Sequence, residues 1–159
     1  MTDNKRILLY GYGNPGRQDD GLGNQFVEIM EEWIAKNNIE GVELDSNYQL
    51  NIEDADTISD KDIVVFIDAS IEDTNDFYID KVDPSDAKVE FTMHAVSVGF
   101  VVSLCNKLYD KYPDAYLLHI KAYEFDFKEG LTDKAKENLD KAVAFMQKKL
   151  MNNEAFVMD

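Results

Sequence analysis

The run Ile63–Ile67, "IVVFI", constrains the fold of this chain more than any other stretch. It is apolar at every position, so a strand formed here needs apolar cover on both faces, as at the centre of a helix-covered sheet. Its flanks supply that cover. "RILLYG" (Arg6–Gly11) is a short apolar run ending in glycine and reads as a second buried strand. "LGNQFVEIMEEWIAKN" places Leu22, Phe26, Ile29, Met30, Trp33 and Ile34 at helical spacing. "GVELDSN" (Gly41–Asn47) reads as a strand and "NIEDADTIS" as a short helix. "DFYIDKVDP" alternates apolar and polar from Phe77 to Val82, which suits a half-exposed edge strand. "AVSVGFVVSLCNKLYDKY" reads as a helix and "AYLLHIKAYEF" as a strand. The last helix carries Leu131, Ala135, Leu139, Val143, Met146 and Leu150 on one stripe, with Thr132 as its N-cap and Lys148 and Lys149 at its negative end.

Alternating strands and helices predict an α/β domain: three layers, a twisted and mainly parallel sheet of about five strands, and helices on both faces. Residues 1–159 fit one such domain. A chain of this size buries roughly 68–70% of its unfolded surface, so one core suffices.

Composition narrows the function. Sixteen Lys and Arg stand against thirty-two Asp and Glu, a formal net charge of −16. That field repels nucleic-acid phosphates and anionic lipid and attracts cationic partners. No apolar run approaches the ~20 residues that span a bilayer. The N-terminal apolar run is too short for a signal peptide. With Cys105 as its one cysteine the chain has no internal disulfide. The expected protein is a cytoplasmic monomer that binds neither nucleic acid nor membrane.

In an open α/β sheet the working residues gather at the carboxyl ends of the strands. The loop after the first strand carries Asn14, Asp19 and Asp20; "FIDAS" ends in Asp68 and Ser70; His94 leads into the "AVSVGF" helix. Asp20, Asp68 and His94 are expected to converge at this rim. Two carboxylates and an imidazole suit a divalent first-row metal such as zinc or nickel.

The loop itself, "GYGNPGRQDDGLG" (Gly11–Gly23), also matches the G-x-G-x-x-G spacing of a dinucleotide-binding turn, with Asp45 available as a ribose-binding acid. Against that reading, Pro15 removes one N–H, and the following helix cannot begin before about Asp19 or Asp20. Those two acids would then meet its positive end and repel a phosphate. Other sites are less promising. Cys105 sits in an apolar helical stretch with no activating motif. No G-x-S-x-G or H-E-x-x-H pattern occurs. His119, inside "YLLHIKAY", reads as a hydrogen-bonded sheet histidine. Tyr48 and Gln49 lie at the same rim, as a polar loop or as the wall of a substrate groove.

The loop resembles the signature of the hydrogenase maturation proteases: G-x-G-N, four residues, Asp, then Asp or Glu, then Gly-x-Gly. "VVFIDAS" and "MHAVSVGFVVSL" resemble the family's central strand ending in aspartate and its histidine before an apolar helix, and "EFDFKEGLTDKAKENL" its closing segment. The match spans most of the chain in the same order. The resemblance implies an endopeptidase that removes a C-terminal extension from the large-subunit precursor of a nickel–iron hydrogenase once nickel is inserted. It implies Asp20, Asp68 and His94 as catalytic and metal-contacting residues, with nickel supplied by the substrate and zinc or cadmium as alternative occupants in a crystal. A non-catalytic, metal-sensing assembly chaperone on the same fold is the second reading, and a nucleotide-binding domain the third.

Overall fold

The structure, a computed structural model, describes residues 5–73, 75–84 and 96–156. Strand β1 (Ile7–Tyr12) leads through a 3-10 segment (Pro15–Gly21) into helix α1 (Leu22–Lys36). Strand β2 (Val42–Asn47), helix α2 (Asp54–Ile58) and strand β3 (Ile63–Ser70) follow. The chain continues through β4 (Phe77–Lys81), α3 (Val98–Tyr109), β5 (Asp114–Lys121) and α4 (Asp133–Asn152).

The strand order is β2-β1-β3-β5-β4. β1 pairs in parallel with both β2 and β3, and β3 in parallel with β5, while β4 runs antiparallel at the edge. The sheet is therefore mainly parallel, as the alternation of elements predicts, and "FYIDK" is the edge strand its half-polar pattern requires.

Side-chain alternation divides the core. Leu9, Val65, Ile67, Leu118 and Ile120 face α1 and α4. Leu8, Tyr10, Val64 and Phe66 face α2 and α3, together with Val101, Val102 and Cys105. The "IVVFI" strand is thus covered on both sides. On the α2 side the Tyr10 hydroxyl donates to Asp54 Oδ1 at 2.9 Å, and Asn51 N donates to Asp54 Oδ2 at 2.8 Å. These bonds dock the short α2 against β1, although burial still pushes the Asp54 carboxyl above its usual range. Thr132 caps α4 as expected, its Oγ1 accepting from Ala135 N at 3.3 Å.

The chain leaves β1 toward β2 on one side and later reaches β3 on the other. The carboxyl ends of β1 and β3 therefore flank the topological switch point, where an open α/β sheet leaves a crevice. Two glycines fix the approach of the next helix. A Cβ on Gly11 would lie 2.1 Å from Gly23 O, and one on Gly23 would lie 2.4 Å from Ile67 O. The first turn of α1 is thereby packed directly onto the backbone of β1 and β3.

Candidate functional site at the switch point

Tyr12 ends β1, and Asp68 stands near the end of β3 on the face that carries Val64 and Phe66. The parallel register matches Gly11 with Ile67, so the next positions, Tyr12 and Asp68, are neighbours across the two strands. The Tyr12 hydroxyl lies beside the Asp68 carboxylate and favours its charged form. Asp20 lies close enough to act electrostatically on both. Its Oδ2 accepts from Asn14 N at 2.9 Å, which fixes the carboxylate within its own loop.

Burial is the main reason the Asp68 carboxyl titrates high, at about 7, and the negative charge of Asp20 adds to it. The nearby Tyr12 hydroxyl and the Ala69 backbone N–H act the other way. Tyr12 is itself pushed well above its ordinary range by burial and by the two aspartates. Two carboxylates held together in a partly buried crevice favour a proton or a cation between them. Their oxygens fit a divalent metal in donor type.

His94 lies outside the described residues. Among the described residues, no group of three His, Cys, Asp or Glu side chains is arranged to hold a metal ion. Asp20 and Asp68 thus lie near enough to interact electrostatically, and His94 is outside the described residues.

The neighbouring acids part company. Asp19 is fully buried, at 0% exposure. Its Oδ2 accepts from Tyr123 N at 2.8 Å, Glu124 N at 3.1 Å and Thr132 Oγ1 at 2.8 Å, while Oδ1 accepts from Thr132 N at 2.8 Å. Asp19 therefore anchors the β5–α4 connection beneath the site. Next to it, Gln18 holds φ +47° and ψ −117°, a region that favours glycine. It is kept there by N–H donation to Lys128 O at 2.9 Å and by its Oε1 accepting from Asp126 N at 3.1 Å.

These contacts correct one expectation. Neither aspartate caps α1, which starts at Leu22 with Gly21 as N-cap and no side-chain cap bond. The 3-10 segment takes up the residues between; the helix begins after both acids, as expected, but the Asp19 side chain is engaged by the β5–α4 connection and not by the helix end. Gly16, the third glycine of the dinucleotide spacing, sits inside that segment and does not open the helix. The glycines that matter for close approach are Gly11 and Gly23.

His119 is a sheet histidine, as expected. Its ring stacks on Tyr78 at 4.0 Å, and Nε2 lies 3.0 Å from Asp80 Oδ1. Cys105 is buried in α3, and burial pushes its thiol up. Tyr48 stands out from the rim, 70% exposed, and shares a groove with Pro15 and Asn24. Tyr12, Gln18 and the anchoring role of Asp19 were not legible in the sequence. An aromatic residue at the end of a strand reads as core, and the partners of Asp19 lie more than a hundred residues downstream.

Among the described residues no helix is long and apolar enough to cross a membrane. No protein-family model matches the chain. A protein of Methanocaldococcus jannaschii, designated a putative hydrogenase maturation protease, is 27% identical over 148 residues, covering 87% of this chain and 92% of the relative. Two solved structures share the fold. The [NiFe] hydrogenase maturation protease HycI of Thermococcus kodakarensis superposes with a TM-score of 0.74 at 21% identity, covering 95% of this chain and 96% of that one. The hydrogenase maturating endopeptidase HybD of E. coli gives a TM-score of 0.73 at 19% identity, with the same coverage of 95% and 96%. The chain has the fold of the hydrogenase maturation proteases, and its sequence is similar to the Methanocaldococcus relative along most of its length.

Proposed function

We propose that this chain is an endopeptidase that removes a C-terminal extension from the nickel-loaded large-subunit precursor of a nickel–iron hydrogenase, with Asp20, Asp68 and His94 contacting the substrate's metal. The observation that carries the reading is the buried Asp68 carboxyl at the switch point, which its burial, with the nearby charge of Asp20, leaves receptive to positive charge. The fold shared with HycI and HybD and the similarity to the Methanocaldococcus relative support it.

In this reading nickel arrives as part of the substrate. Asn14 N–H holds the Asp20 carboxylate and the Tyr12 hydroxyl lies beside that of Asp68, so both acids present oxygens to the incoming metal. His94 supplies a nitrogen donor. Two oxygens and one imidazole contact a first-row cation without enclosing it, which suits recognition followed by release. A precursor without nickel offers nothing for the trio to grip, so cleavage becomes conditional on metal insertion. The residues position the precursor so that water adds to the scissile carbonyl, the C–N bond breaks and the leaving amine takes a proton. The free protein is expected to bind metal weakly.

The test is incubation with a nickel-loaded precursor and measurement of its mass. Loss of a C-terminal peptide is the expected result, with a nickel-free precursor left whole. Asp20→Asn, Asp68→Asn and His94→Ala should each abolish the loss. A loaded precursor that stays intact while still binding in a metal-dependent way would replace the protease with a metal-sensing chaperone.

A further inference from the structure

The 3-10 segment that displays Asp20 is two turns joined by a kink at Arg17 and Gln18. Asn14 and Pro15 lie before the kink, and Asp19 and Asp20 after it. We propose that Gln18 is a positioning residue for the site. Its strained conformation, locked by a side-chain bond to the β5–α4 connection, keeps the Asn14 N–H on the Asp20 carboxylate and so fixes where that carboxylate meets the substrate's metal. The proposal rests on the protease reading above and adds to it a residue that acts only through Asp20.

The backbone of Gln18 is the first support. Its φ of +47° and ψ of −117° are the dihedrals of the first central position in a type II′ turn, which glycine normally fills. A side chain held there is strained, and such strain persists only where the surroundings over-determine it. The clasp around the residue is the second. Gln18 is 6% exposed. Its N–H donates to Lys128 O at 2.9 Å, and its Oε1 accepts from Asp126 N at 3.1 Å. Lys128 N also donates to Asp126 O at 2.8 Å, so both contacts fall on one tight turn. The third is what spans the kink. Asn14 N donates to Asp20 Oδ2 at 2.9 Å, and a Cβ on Gly13 would lie 2.0 Å from Asp20 O. Both contacts join residues on opposite sides of Gln18.

The residue type fits this task. Glycine would adopt the conformation freely but has no side chain to tether. Alanine would bear the strain without the bond. Glutamine bears the strain, and its stem carries an acceptor to the Asp126 N–H. Both ends of the loop are fixed, since Tyr12 ends β1 and Asp19 is bonded to Tyr123, Glu124 and Thr132. A relaxation at Gln18 therefore has to be absorbed between them, at Asn14, and parts its N–H from Asp20.

The experiment reads amide exchange by NMR in the full-length chain and precursor cutting by mass. In the parent, the Asn14 amide should be no better protected than that of Asp126, because opening of the Gln18 tether also frees Asn14. A better protected Asn14 would overturn the proposal. Gln18→Gly removes strain and tether together, and Gln18→Met keeps the stem and removes only the acceptor. Both should speed Asn14 exchange by about tenfold or more, while the sheet amides of Leu9 and Val65 keep their protection. Both should lower kcat/KM on the nickel-loaded precursor by about tenfold or more. Unchanged Asn14 exchange, unchanged kcat/KM, or protection lost equally at Asn14, Leu9 and Val65, the mark of a merely structural role, would overturn it. Exchange does not depend on cleavage. A parent that leaves the precursor whole would refute the protease reading alone, with the exchange rates still deciding for or against Gln18. A parent that cuts, beside variants that cut equally well, would refute the role of Gln18 alone.

Discussion

Asp19 and Asp20 are adjacent and chemically identical, yet their asparagine variants should fail in opposite ways. In Asp19→Asn the amide oxygen can keep the Oδ2 position and its three donors, Tyr123 N, Glu124 N and Thr132 Oγ1. The NH2 group then faces Thr132 N, which now donates to Oδ1 at 2.8 Å. A charge-assisted bond becomes a donor-against-donor contact, and the other three lose their ionic component. One charged hydrogen bond is worth ~1.5–3 kcal/mol, and leaving a buried N–H unmet adds to the loss, giving about 2–4 kcal/mol in total. With a urea slope of roughly 2 kcal/mol per molar, the unfolding midpoint should fall by about 1–2 M. Asp20→Asn keeps an oxygen for Asn14 N and buries nothing unmet, so its stability should stay within about 0.5 kcal/mol of the parent. Its precursor processing should be abolished. Urea unfolding followed by circular dichroism, alongside the precursor mass assay, separates the two. An Asp19→Asn midpoint unchanged from the parent, or an Asp20→Asn variant that is the less stable of the two, would refute the division of labour.

Asp68→Asn should be inactive but more stable at pH 8. The native carboxyl, near 7, keeps a proton that the unfolded chain releases near pH 4, so stability falls as pH rises from about 4 to 7. The uncharged amide escapes that cost, a gain of about 1–2 kcal/mol at pH 8 that vanishes near pH 4 in urea titrations at the two pH values. Tyr12→Phe removes a hydroxyl that lowers the Asp68 pKa. The carboxyl should therefore titrate higher, by up to about one pH unit, in an NMR titration of the free protein. Thr132→Val removes both the cap of α4 and one donor to Asp19, and should cost about 1–3 kcal/mol by thermal unfolding.

The layered fold was legible because its signals are local. The apolar run at Ile63–Ile67 required cover on both faces, and the stripe from Leu131 to Leu150 with Thr132 ahead of it gave α4 and its cap. The positions of Asp20 and Asp68 were legible for a topological reason, since strand ends flanking a switch point share a crevice whatever their sequence distance. The distinction between Asp19 and Asp20 was not, because it depends on backbone N–H groups of Tyr123, Glu124 and Thr132. A helix dipole is likewise a local signal, set by the next few residues and not by a segment that folds back from the far end. Tyr12 looked like core, and only the register of β1 against β3 turns it toward Asp68.

The buried Asp19 anchor has a consequence for biosynthesis. Its donors are supplied 104 to 113 residues later in the chain. While a ribosome is still making the protein, the loop that displays Asp20 has nothing to close against, and a nascent or C-terminally truncated product lacks its shape. The shape of the Asp20 loop thus arrives only when translation has delivered the start of the final helix.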